Sequence, residues 1–205
     1  MKILALELSS SVGSIAWTDE AAGPFSTTFA NDRKHSGLFF ENLQRCLTRF
    51  GNPDVTAIGL GPGSYAGTRI AIATAIGLEA ATGTRLVGLP SICAIGADSE
   101  TYGVIGDARR QSFFFVEVRD RSCVTEPVLY TEAELNERLQ SFAGAVFTTE
   151  PLPVFPRAVV SRPSALLLAQ FAQRSPERNL STPLEPIYLR DPHITKAKVP
   201  LSVPT

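Results

Sequence analysis

Ile58-Gly59-Leu60-Gly61-Pro62-Gly63-Ser64-Tyr65-Ala66-Gly67-Thr68-Arg69 joins a strand-like run, Val55 to Leu60, to an apolar helix that the pattern predicts over Thr68 to Thr82, with Gly83 at its stop. Four glycines within nine residues let the backbone turn sharply and approach another group closely, and the helix beyond offers unpaired N–H donors to an anion. A phosphate loop is one reading. No lysine follows the last glycine as a Walker motif requires, however. Gly61, Gly63 and Ala66 match a dinucleotide fingerprint, but the strand ending at Val87-Gly88-Leu89 carries no acid for a ribose. Ser64 lies outside a Gly-x-Ser-x-Gly pattern and so reads as turn chemistry, not as a nucleophile.

Outward from this loop, the first half reads as strands at Ile3–Leu8, Ser14–Thr18 and Phe25–Phe29, then a helix. Phe39, Leu43, Cys46, Leu47 and Phe50 mark that helix, Gly51 caps it and Pro53 follows. The fourth strand, the second helix and a fifth strand at Arg85–Leu89 come next, with a short helix expected at Ser91–Ala97. The second half begins again with strands at Tyr102–Gly106, Ser112–Val118 and Cys123–Tyr130. Thr131 and Glu134 form a capping-box pattern for a helix through Phe142, and Ala145–Thr148 reads as a strand. Three strands, a helix and a strand thus occur twice, which points to two α/β halves, residues 1–101 and 102–205. Prolines punctuate the remainder, where Pro163–Gln173 is the one convincing helix.

The chain has 205 residues, 44% of them apolar, and a formal net charge of −1. That is enough for one sizeable core or two smaller ones. Nothing in it provides the basic footprint of a nucleic-acid binder, so any link to RNA would run through a partner. Cys46, Cys93 and Cys123 are odd in number and lack Cys-x-x-Cys spacing, which argues against a disulfide framework or a structural zinc site and for a reducing, cytoplasmic setting. The amino-terminal apolar stretch breaks at Glu7, too early for a signal peptide, and the run from Ile70 to Leu78 falls short of the roughly 20 residues that span a bilayer.

Glu7 and Asp107 each end the first strand of their half, where paired carboxylates could hold a metal or order a water. A lone acid at a strand end is usually a solvated or turn-capping residue; on balance Asp107 is kept as a candidate and Glu7 is discounted. Gly61, Gly63 and Asp107 are the candidate cofactor-binding positions. His35 and His193 are too isolated to suggest a zinc site, so no metal ligands and no catalytic residues are assigned. The second helix is unusual. Arg69, Thr74 and Glu79 spread round its circumference, and Ala66, Ile70, Ala73, Gly77 and Ala80 form a small-residue stripe on which another helix could approach closely. The alternatives are a central core helix and a helix covered by another chain, to which Leu38 and Phe40 of the first helix would add apolar surface.

These residues resemble the TsaB (YeaZ) family over most of the chain. The similarity lies in Lys2-Ile3-Leu4-Ala5-Leu6-Glu7-Leu8-Ser9 with Val12-Gly13-Ser14-Ile15-Ala16, in His35-Ser36 leading into Leu38, and in Gly61-Pro62-Gly63-Ser64-Tyr65-Ala66-Gly67-Thr68-Arg69-Ile70. It continues in Asp107-Ala108-Arg109 and Pro186-Ile187-Tyr188-Leu189-Arg190. The resemblance implies two RNase H-like lobes of the actin, sugar-kinase and Hsp70 superfamily, the second lobe shortened. It also implies a non-catalytic subunit that pairs with a TsaD-like transferase, the carrier of the metal, which places a threonylcarbamoyl group on the adenosine beside the tRNA anticodon. A TsaE-like ATPase joins them; ATP, ADP and metal are expected on the partner or at the shared boundary, and tRNA contact only through the complex. The first two helices, with Leu38, Phe40, Ala66, Ile70, Ala73, Gly77 and Ala80, would form the interface with the transferase or a second copy of the chain. Glu7 stands where the family usually has Asp, which disfavours intrinsic nucleotide chemistry. The alternatives are a small-molecule kinase or ATPase using Asp107 and the glycine loop with Mg-ATP, and a metallopeptidase, for which no ligand cluster is present.

Overall fold

Strand β1 (Ile3–Glu7) is wholly buried, because it lies in mid-sheet with helices against both faces. Its side chains alternate between two apolar clusters: Leu4 and Leu6 point into one, Ile3 and Ala5 into the other. This is the period-two pattern of a strand covered on both sides. The computed structural model describes residues 1–20, 23–31, 36–174 and 184–190. β1 pairs antiparallel with β2 (Val12–Thr18), which pairs antiparallel with β3 (Phe25–Ala30); on its other edge β1 runs parallel to β4 (Val55–Gly59), and β4 to β5 (Arg85–Leu89). The order is β3-β2-β1-β4-β5.

The second sheet repeats that order. β6 (Thr101–Asp107) pairs antiparallel with β7 (Phe113–Arg119), and β7 with β8 (Ser122–Cys123) and β9 (Val128–Tyr130). On the other side β6 runs parallel to β10 (Ala145–Thr148), and β10 to β11 (Val159–Val160). The protein is therefore mixed α/β, built on two sheets of matching strand arrangement. The single strand expected at Cys123–Tyr130 is instead two short ones. They flank Pro127, which has no N–H for the ladder, and only 122–123 and 128–130 reach β7.

On one face of the first sheet lie α1 (Gly37–Phe50) and α2 (Tyr65–Thr82). Phe39, Leu43 and Cys46 of α1 and Ala71, Ile72 and Ala75 of α2 enter the same cluster as Leu4, Leu6, Ile15 and Trp17. Gly51 ends α1 at φ 82°, and Gly83 ends α2 in the left-handed region with its N–H on the Glu79 carbonyl, as expected of glycine at this position. α2 begins three residues earlier than the spacing suggests, because Ser64 caps it by accepting the Gly67 N–H,. The short helix expected at Ser91–Ala97 is a single 3-10 turn, Ser91–Ala94.

α3 (Glu132–Ser141) starts with the expected reciprocal Thr131–Glu134 capping box and places Leu135 and Leu139 beside Ile105, Phe115 and Phe155 of the second sheet's core. α4 (Ala165–Arg174) crosses back. Its Ala165, Leu168, Ala169 and Ala172 fill the other face of the first sheet, against Ile3, Ala5, Val55, Ala57 and Val87. Ser14 Oγ of β2 accepts the Ala165 N–H at 2.9 Å, pairing one of the helix's orphan donors across 151 residues of sequence,. The helix does not begin at Pro163, because that residue is taken up in a β-bridge with Ile95.

The glycines of the loop meet the chain's own backbone. A Cβ on Gly63 would lie 2.1 Å from the Ser9 carbonyl oxygen, and one on Gly67 2.1 Å from that of Leu8; neither atom can yield without moving β1. Gly77, in mid-α2, would meet nothing within 4 Å. Urea unfolding is therefore expected to show Gly63→Ala and Gly67→Ala destabilised by at least about 2 kcal/mol, with Gly77→Ala stabilised by about 0.5–1 kcal/mol through helix propensity. Equal effects at all three positions would contradict this packing.

Candidate functional site

The ends of β1 and β6 open onto a cleft of about 1030 Å³ between the two sheets. The β1–β2 turn (Ser9, Ser10, Ser11) and the glycine loop (Pro62, Gly63, Ser64) line one side, while Gly106 to Arg110 and Thr148 to Glu150 line the other. The segment Pro186–Arg190 completes the wall. Asn31 holds the β1–β2 turn: its Nδ2 donates to the carbonyls of Leu8 at 2.9 Å and Ser10 at 2.7 Å. Ser64 N–H donates to Ser9 O at 2.6 Å, and Ser91 grips Gly61 from behind, donating its N–H to the carbonyl at 2.8 Å and accepting the amide at its Oγ at 3.0 Å.

The two motifs Gly61–Ile70 and Pro186–Arg190, far apart in sequence, meet here. Ile187 N–H donates to Leu60 O at 2.8 Å. Arg69 lies over the Tyr65 ring, 4.1 Å from its centroid, and its Nε donates to Tyr188 Oη at 3.0 Å. The guanidinium is thus spent on two aromatic rings and a phenol instead of facing the cleft, an arrangement worth roughly 1–2 kcal/mol from the cation–π and hydrogen-bond contributions.

Neither sequence-candidate carboxylate is poised for a metal. Glu7 is fully buried; its Oε1 accepts the Ser9 N–H at 2.6 Å, and among the described residues Oε2 meets no hydrogen-bond donor. A Cβ on Gly59 would lie 1.8 Å from that Oε2, so the longer side chain occupies space that only a glycine leaves. Burial pushes the Glu7 pKa up, and the hydrogen bond from Ser9 works in the opposite direction,. Asp107 does face the cleft, but Arg109 occupies both oxygens: its N–H reaches Oδ1 at 2.6 Å and its Nη1 reaches Oδ2 at 3.1 Å. Arg109, Arg110 and Gln111 all have positive φ, at 66°, 53° and 58°, a tight turn for which Asp107 is the capping acceptor. Among the described residues no group of three or more potential ligands gathers to hold a metal ion.

Gly61 and Gly63 serve local backbone packing, with Gly61 at φ 87°. What the sequence reading missed is the basic character of the opposite wall. Arg109, Arg110 and Arg190 all line the cleft; Arg190 Nη2 reaches the Arg109 carbonyl at 3.4 Å, and its buried Nε has no partner among the described residues. His35 and His193 lie outside the described residues.

All but one of the candidate interface residues are exposed. Leu38 and Phe40 are 41% and 49% exposed, large values for such side chains. On α2, Ala66, Ala73, Gly77 and Ala80 are exposed and Ile70 is half-buried, with Ile76, 50% exposed, between them. α2 is consequently not a central core helix. Gly67, Thr68, Ala71, Ile72 and Ala75 are buried, and the other side, mostly small and apolar apart from Arg69 and Glu79, is exposed. Among the described residues no helix is long and apolar enough to cross a membrane.

Two sheets of matching order, a cleft at their strand ends and a small-residue helix beside it define a two-sheet α/β protein in which Glu7 is buried and Asp107 and Glu150 line the cleft. Its fold is that of YeaZ. YeaZ from Pseudomonas aeruginosa superposes with a TM-score of 0.69 at 22% identity, covering 92% of this chain and 99% of that one. A Pseudomonas aeruginosa protein described as similar to peptidase YEAZ superposes with a TM-score of 0.73 at 21% identity over the same shares. Uncharacterized proteins of Mycobacterium tuberculosis and Mycobacterium bovis are 28% identical over 142 residues, 68% of this chain. The match spans 65% of those curated relatives' own length. No family model matches the chain.

A buried carboxyl with a raised pKa makes stability depend on pH in a definite sense. The unfolded chain ionises Glu7 near the ordinary value of 4.5, whereas burial raises its pKa in the folded protein. The contribution of Glu7 to stability is therefore full below that value and is lost as pH rises through the folded pKa. Glu7→Gln cannot ionise and retains an acceptor for Ser9. In urea titrations its stability relative to the wild type is expected to rise between pH 4 and pH 8; a relative stability that falls over that range would refute a raised Glu7 pKa,.

Proposed function

We propose that this chain is a TsaB (YeaZ)-type scaffold subunit that binds and stabilises a TsaD-like transferase in the threonylcarbamoyl modification of the adenosine next to the tRNA anticodon, without carrying out the transfer. The observation that carries this reading is the exposure of Leu38 and Phe40 on α1 and of Ala66, Ala73, Gly77 and Ala80 on α2, with Ile70 half-buried. Small residues there allow a partner helix to approach closely, and the two exposed large side chains beside them supply the apolar anchors of an interface core. The YeaZ fold and the paired motifs at Gly61–Ile70 and Pro186–Arg190 support the same assignment. The repeated strand order supports two RNase H-like lobes of the actin, sugar-kinase and Hsp70 superfamily. On this reading a TsaE-like ATPase is the third component, a second copy of the chain is the alternative occupant of the face, and tRNA is met only in the complex.

The test is co-purification with a TsaD-like subunit. Gly77→Arg has open space around the new side chain, so it is expected to keep its helical circular dichroism and to lose the partner by at least tenfold in Kd. A folded variant that binds undiminished would exclude this face; size-exclusion chromatography of the isolated chain reports whether a second copy takes it instead.

The kinase or ATPase reading needs a free carboxylate for Mg-ATP. Glu7 is buried and turned away, and Asp107 is engaged by Arg109, which weigh against it. Calorimetry of the isolated chain is expected to show no magnesium-dependent ATP binding; micromolar binding abolished by Asp107→Asn would favour the enzyme.

A further inference from the structure

Cys93 and Cys123, separated by 30 residues in sequence, come together where the 3-10 turn Ser91–Ala94 packs on the second sheet. Their sulfurs are 3.6 Å apart, a separation that a modest change of side-chain torsion closes to a bond. Cys93 is buried, while Cys123, on the short edge strand β8, is half-exposed. The surroundings are firmly held. Tyr102 Oη donates toward the carbonyls of Ile92 and Cys93 at 3.1 and 3.2 Å, and Arg121 donates to the carbonyls of Ile95 and Ala97. Cys46 is buried apart from them in the first sheet's core, where burial pushes its thiol up to about 11.

We propose that Cys93 and Cys123 form a dithiol site that low-molecular-weight disulfides oxidise to an intramolecular disulfide, joining the turn behind the glycine loop to the second sheet. Cys123 is the entry point, because it is the sulfur that solvent reaches. Contact with the Cys93 thiol lowers the Cys123 pKa, whereas the adjacent Cys123 and then burial raise that of Cys93,. The Cys123 thiolate attacks one sulfur of glutathione disulfide and expels a glutathione thiolate. Cys93 gives its proton to solvent and attacks Cys123 Sγ, expelling the second glutathione. Two protein thiols are oxidised and one disulfide is reduced to two thiols. The consequence is local to the site already described: Ser91, two residues before Cys93, holds both the N–H and the carbonyl of Gly61, so the new bond would anchor the glycine loop's support covalently to β8.

The experiment is glutathione disulfide treatment of the native full chain, followed by thiol titration after denaturation and by peptide mass mapping without reduction. The wild type is expected to lose two of its three thiols and to yield one linked peptide pair containing Cys93 and Cys123, reversed by dithiothreitol. Cys93→Ser is expected to stop at a single glutathione adduct on Cys123, and Cys123→Ser to keep both remaining thiols. Three titratable thiols in the treated wild type, a link involving Cys46, or a bond formed only in denaturant would overturn the proposal. Because none of these readouts requires a partner protein, they stand or fall independently of the scaffold assignment.

Discussion

The fold depends on a backbone-to-backbone contact between the glycine loop and the exit of β1. Gly63 and Gly67 lie so close to the carbonyls of Ser9 and Leu8 that no side chain fits, and the Ser64 N–H closes on Ser9 at 2.6 Å. This contact places the first turn of α2 against the end of the central strand, and from there α2 runs along the sheet with Ala71, Ile72 and Ala75 facing inward. The geometry that in other proteins cradles a phosphate is here largely filled by the chain's own turn.

The same economy of space explains the silence of the cleft carboxylates. Glu7 is accommodated because Gly59 leaves a void beside it, and a carboxyl in that position gains nothing from ionising without a cation. Asp107 spends its oxygens on a turn of residues with positive φ. The rest of the cavity wall combines serine hydroxyls and arginines with apolar side chains such as Phe114, Leu129 and Leu152, and with the carboxylate of Glu150. One helix away, α1 and α2 expose the large apolar side chains Leu38, Phe40, Tyr65 and Ile76. On the proposed scaffold reading, such a surface would act by complementarity, its affinity set by a few anchors such as Phe40 and by how closely small residues let a partner approach.

Local patterns in the chain were sufficient for much of this. The apolar run of β1, the turn at Gly23-Pro24, the heptad-like recurrence from Phe39 to Phe50, the Thr131–Glu134 capping box and β5 at Arg85–Leu89 each depend on residues a few positions apart, so their chemistry is complete in sequence. The elements misjudged were those governed by remote partners. Pro163 resembles a helix start until Ile95 takes it into a bridge; Cys123–Tyr130 resembles one strand until only its ends find β7. The exposure of α2 was ambiguous for a related reason: a helix of small and apolar residues has the same composition whether buried by its own chain or left open.

From its residues alone, then, the chain declares an α/β plan of two similar halves, a glycine loop without a phosphate lysine, and a helix with no ordinary polar side, because propensity, capping and periodicity are short-range properties. Folding alone settled that α4 returns to cover the first sheet, that Pro186–Arg190 docks on the glycine loop through Arg69 and Tyr188, that Glu7 is turned inward, and that Cys93 meets Cys123. Each of these is a contact between segments whose separation along the chain carries no local signal, and each is decided by which surfaces fit once both sheets are in place.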